Sequence, residues 1–142
     1  MLVDDIFMNV QFLLCAQSIS VDQQTSRLSV FNVLEQINVP AFPIFIPELS
    51  LVALVRKEDG DDAEENECSL TISKGEKELT LAHAVFHFST WPLARLIFNF
   101  SGLGIDSPGD IDFNLVLPKG IGYKLTIPVT HIPATVNSRM PV

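Results

Sequence analysis

Cys68-Ser69-Leu70-Thr71-Ile72-Ser73 decides how this chain folds. Its apolar residues alternate strictly with hydroxyl-bearing ones. Successive side chains of an extended chain point to opposite faces, so the segment reads as a strand with one side in a core and the other in solvent. The same spacing resumes after Lys74-Gly75-Glu76 through Leu79, Leu81, His83 and Val85. The two segments therefore read as a hairpin closed by a glycine-containing turn.

Further out, Ile111, Phe113, Leu115 and Leu117 alternate with Asp112 and Asn114, Pro118-Lys119-Gly120 turns the chain, and Tyr123, Leu125, Ile127 and Val129 alternate with Lys124 and Thr126. This is a second hairpin. Ser107-Pro108-Gly109-Asp110 is a turn signal, with proline pre-setting φ and glycine free to take a positive one. A strand over 93–105 should enter it. Extended segments are also expected over 10–18, 28–37 and 48–57, the last following Pro40, Pro43 and Pro47, which exclude a helix there. Residues 79–88 and 91–100 fit a helical face as well, but are assigned as strands. Pro128 lies inside the last strand, which should be an edge or bulge at that point. About eight strands at regular spacing predict an all-β antiparallel β-sandwich, immunoglobulin-like or C2-like. It should form a single domain over 1–142 with short flexible ends at 1–8 and 132–142.

The 142 residues are 47% hydrophobic and 18% charged, which favours a packed core over disorder. Seventeen acids against nine bases give a net charge of −8. That balance disfavours binding to nucleic acid or an anionic membrane. The charge is local, however. Residues 58–67 hold seven of the acids and no base, and the other 132 residues carry ten acids and nine bases. Asp4 and Asp5 precede the first apolar stretch, against a secretory signal, and the longest charge-free run, 6–21, is too short and too polar to span a bilayer. Two cysteines, Cys15 and Cys68, make no disulfide framework and read as buried thiols in a reducing compartment. A cytoplasmic protein is expected.

His83 and His87 are four apart, a zinc spacing on a helix, but on a strand the same interval spans about 13 Å and no single metal bridges it. His131 has no evident partner. The acidic run 58–67 reads as a solvated loop or as a calcium-binding mouth, although it lacks the spacing of a helix-loop-helix calcium site. Ser101-Gly102 lacks the first glycine of a nucleophile elbow, because Asn99 stands there. Gly102-Leu103-Gly104 lacks the third glycine of a dinucleotide fingerprint and reads as a bend in a strand. The ten phenylalanines have almost no basic residue beside them and read as core. In 39–47, Phe42, Ile44, Phe45 and Ile46 lie among three prolines and cannot all be buried in a regular sheet, so the segment either covers the open end of the sandwich or forms an exposed patch, which makes these four residues the candidate interface.

The order of these features resembles an uncharacterised family of small bacterial β-sandwich proteins. It starts with Phe12-Leu13-Leu14-Cys15-Ala16, breaks at polar 20–26, continues with Leu28-Ser29-Val30-Phe31-Asn32-Val33-Leu34-Glu35, and ends with the Pro108-Gly109 turn into Asp112-Phe113-Asn114-Leu115-Val116. The resemblance covers most of the chain. It implies an immunoglobulin- or C2-like sandwich without an assigned activity, and it transfers no functional residue.

The expected function is a non-enzymatic interaction or binding module without a cofactor, catalytic residue or metal ligand. It should self-associate through a strand edge or residues 42–46, or bind another protein. One alternative is a calcium-dependent module using 58–67. Another is an enzyme of unrecognised type.

Overall fold

A computed structural model describes residues 8–57, 65–88 and 92–133. Among these the chain is all-β, with eleven strands: β1 (Met8–Val21), β2 (Leu28–Val33), β3 (Ile37–Val39), β4 (Ile44–Ile46), β5 (Leu49–Lys57), β6 (Asn66–Lys74), β7 (Lys77–Phe86), β8 (Leu93–Phe100), β9 (Leu103–Ile105), β10 (Gly109–Val116) and β11 (Gly122–His131). The eight longest correspond to the eight segments expected from alternation. The three extra strands have three residues each: β3 and β9 arise where an expected segment is interrupted, and β4 lies in the proline-punctuated stretch before β5. The chain leaves the extended ladder at residues 34–36, which separates β3 from β2, and Pro43 and Pro47 bracket β4. Ser101 and Gly102 divide the expected 93–105 strand into β8 and β9. Gly102 has φ +104°, and a Cβ placed on it would lie 2.5 Å from the Phe45 ring. Both the backbone and the crossing ring require glycine there.

Three sheets result. The first has the order β2-β1-β5-β8, the second β3-β11-β10-β6-β7, and the third pairs β4 with β9. Pairing is antiparallel throughout except between β3 and β11, where Val129, Thr130 and His131 face Ile37, Asn38 and Val39 in parallel. That exception departs from the fully antiparallel expectation. It arises because the chain crosses from the first sheet to the rim of the second immediately after β2.

The alternation that predicted β6 also sets its packing. Cys68, Leu70 and Ile72 are buried, whereas Ser69, Thr71 and Ser73 are half-buried on the opposite face. Leu70 faces Leu115 and Ile72 faces Phe113 on β10, so three strands place their apolar sides on one face. Leu51, Ala53 and Val55 of β5 and Leu96 and Phe98 of β8 do the same from the first sheet, and all belong to a single hydrophobic cluster. Burying each large aliphatic or aromatic side chain stabilises by about 1.5–3 kcal/mol, which makes this cluster the main source of fold stability.

The segments that also fitted a helix are strands where they are described: 79–86 lies in β7 and 93–100 in β8. Tertiary pairing decides them. Lys74 faces Lys77 across a two-residue turn in which Gly75 takes φ +62°, and this turn fixes β7 in register with β6. Pro128 behaves as expected of an edge residue. β3 joins β11 only from Val129 onward, so over residues 122–128 the outer side of β11 has no strand neighbour among the described residues. Most of the ends expected to be flexible lie outside the described residues. Met8 is buried at the start of β1, and Ile132 N–H donates to Val39 O at 2.9 Å.

Candidate interaction surface

The candidate interface residues are placed by the pairing of β4 with β9, in which Ile44, Phe45 and Ile46 face Ile105, Gly104 and Leu103. Alternation then divides them. Ile44 and Ile46 are partly buried against the core, as is Phe42, whose ring lies 6.3 Å from that of His131. Phe45 alone is exposed, at 66%, with its ring over Gly102. His131 has a partner that sequence reading did not reveal: its Nε2–H donates to Pro40 O at 2.9 Å.

The histidine pair is not brought together as a metal site. His83 is exposed on β7, and His87 lies one residue beyond the strand. Among the described residues no group of three or more His, Cys, Asp or Glu side chains is placed to hold a metal. Of the acidic run, 58–64 lies outside the described residues, and Glu65 and Glu67 are exposed. Both cysteines are free and buried. Burial pushes the Cys15 thiol up to about 12 and the Cys68 thiol up to about 11. Each is held as a neutral thiol at physiological pH, unsuited to nucleophilic attack.

Two apolar regions stand out on the surface of the described residues. The first is the outward face of the four-stranded sheet. Register places Val33 beside Ala16, Leu14 beside Val52, and Val52 beside Ile97 on one side of that sheet. Val33 and Ile97 are exposed, but Val52 between them is fully buried. Arg95 Nη2 donates to Ser26 O at 3.1 Å, which brings the loop of the β1/β2 hairpin to β8. This face is therefore engaged by the chain's own hairpin. At its end, Ser50 Oγ donates to Asn99 Oδ1 at 2.7 Å, across paired positions of β5 and β8. Asn99→Ala removes the acceptor from a buried hydroxyl and is expected to destabilise by about 1–3 kcal/mol in denaturant titrations. The double variant Ser50→Ala/Asn99→Ala should recover most of that loss.

The second region is the rim of β7. This strand pairs only with β6 among the described residues, and its ten residues make it the longest strand at the end of a sheet. Leu81 and Val85 are 48% and 54% exposed on the outward face, flanking His83. No charged residue or proline interrupts residues 79–86. The other rims are blunted in ways by which proteins discourage strand addition. β8 carries Arg95, β11 carries Lys124 and Pro128, β3 is three residues long, and Asn32 in β2 leaves the extended region at φ +57°. The signal for the β7 rim was present in the sequence as an uncharged alternating run. Which strand would sit at a rim was not.

Depressions elsewhere are small. The one between β7 and the β8–β9 bend, lined by residues including Leu79, Thr80, Phe100 and Gly102, has a volume of about 300 Å³, at the lower limit of small-molecule sites.

These features define an all-β chain of several antiparallel sheets, with one long strand rim that is unguarded among the described residues. A profile of the Family of unknown function (DUF6941) matches residues 11–137, and the chain belongs to that family. No curated protein matches the chain. Among the described residues no helix is long and apolar enough to cross a membrane.

Proposed function

We propose that the chain is a non-enzymatic interaction module of immunoglobulin-like sandwich topology, which works by accepting an extended protein segment along β7. The topology supports the first half of this reading. The orders β1-β5-β8 and β3-β11-β10-β6-β7, with a short strand parallel to the last one, resemble the two sheets of a variable-type immunoglobulin domain, although no strand pairs beyond β8 among the described residues. The observation that carries the second half is the rim of β7, whose outward backbone groups are unpaired among the described residues and whose middle carries no charge. Another extended backbone satisfies such groups in register, and the exposed Leu81 and Val85 provide apolar contacts for its side chains. Two buried free thiols support a reducing compartment, and with it a cytoplasmic location.

A fluorescent synthetic peptide of the β7 sequence, residues 77–86, is the probe. Its anisotropy should rise saturably with added protein, and Leu81→Lys/Val85→Lys should abolish the rise while leaving the far-UV spectrum unchanged, since both side chains are exposed. No rise at protein concentrations up to about 1 mM, the weakest affinity that such contacts would give, overturns the reading.

A further inference from the structure

We infer that the occupant of the β7 rim is the β7 of a second copy of this chain, added antiparallel about a twofold axis through His83, so that two five-stranded sheets join into one. The inference rests on the strand-docking reading and names its partner.

Residues paired across an antiparallel ladder share a face, and a twofold axis perpendicular to the sheet preserves that face. Such an axis must therefore pass where a residue meets its own copy. Centred on His83, Leu81 meets Val85 of the second copy and Val85 meets its Leu81, while Ala82 and Ala84 meet on the other face. Two cross-strand apolar pairs then form from the side chains that are most exposed on this strand. Centring on Ala82 sets Leu81 against His83 instead, and centring on Ala84 sets Val85 against His83. Only the His83 register matches both large apolar residues with each other.

Charge selects the same direction. The open end of the β6/β7 hairpin carries Glu65 and Glu67, whereas Lys74, Glu76, Lys77 and Glu78 at its turn sum to zero. Parallel addition would set the two acidic ends side by side. Antiparallel addition places them at opposite ends of the joined sheet, each beside a neutral turn, and the His83 register keeps Lys77 and Glu78 outside the paired residues. Small residues at Ala82 and Ala84 leave the approach of the second backbone unobstructed.

Cysteine cross-linking reads the register directly. Residues facing across an antiparallel pair have Cα atoms about 4.5–5.5 Å apart, within the roughly 4.4–6.8 Å that a disulfide spans. His83→Cys, treated with oxidised glutathione as the two-electron acceptor, should form a disulfide-linked dimer on non-reducing gels. Leu81→Cys alone and Val85→Cys alone should not, whereas their mixture should. The native thiols are buried and leave the background low. His83 is exposed, so its replacement keeps the fold, and Asn114→Cys, on the same face but two strands from the rim, is the control. The inference falls if His83→Cys links no faster than this control, or if Leu81→Cys alone links as fast as the mixture. Light scattering separates the two readings. A monomer that still binds the β7 peptide removes the second copy and keeps strand docking, and a monomer that does not bind it removes both.

Discussion

Phe113→Ala is expected to lower the unfolding free energy by about 3–5 kcal/mol, the range for truncating a fully buried aromatic side chain. Phe113 sits in the middle of β10 with neighbours on both sides, Ile72 of β6 and Leu125 of β11, and is 2% exposed. For a domain of this size the loss corresponds to a melting temperature lower by roughly 10–20 °C. Phe45→Ala is the contrast. Its ring lies on the surface over Gly102, and the change should stay within about 0.5 kcal/mol. Equal losses for the two variants in calorimetry would contradict this division of the phenylalanines.

The contrast also shows how far the sequence could be read. Assigning the phenylalanines to the core holds for Phe113, Phe86, Phe88 and Phe98, which alternation places on the inward face. It fails for Phe31, which is exposed on the β1/β2 hairpin. Period-two patterning specifies which side of a strand is apolar but not whether another sheet covers that side. Strand existence was legible because each long strand carries its own alternation. Strand order was not, since the parallel placement of β3 against β11 depends on contacts about 90 residues apart in sequence. For the same reason residues 42–46 look equally available in the sequence, although the pairing of β4 with β9 turns Ile44 and Ile46 inward and leaves Phe45 outside.

The second large effect is alkaline destabilisation by the two thiols. Their ordinary value is 9.0, and burial raises Cys15 to about 12 and Cys68 to about 11. Below 9 both the folded and the unfolded chain carry neutral thiols, and the stabilisation is fully present. As pH rises through that value the unfolded chain loses protons that the folded chain retains. Stability then falls by about 1.4 kcal/mol per pH unit for each thiol, until Cys68 and then Cys15 ionise in the folded state as well. Denaturant titrations across this window should therefore show a shallower decline for Cys15→Ala and Cys68→Ala than for the unaltered chain, relative to each variant's own value at neutral pH. Parallel curves would show that the thiols ionise alike in both states. A thiol-labelling reagent gives an independent measure. At mildly alkaline pH, Cys15 in the folded chain should react about a thousandfold more slowly than in urea, from its lower thiolate fraction alone.

The two rims of the five-stranded sheet are unequal. One is β7, uncharged through its middle, and the other is β11, where Lys124 projects from the strand, Pro128 offers no N–H, and three residues of β3 occupy the remainder. A sheet receptive on both sides propagates, each added unit exposing a new template, and its natural product is a fibre. If β7 adds a second copy as proposed, the joined sheet ends in β11 on both sides, and growth would terminate at two. On that proposal the proline and lysine of β11 would act as chain terminators, limiting the reach of a sticky strand on the far side of the same sheet.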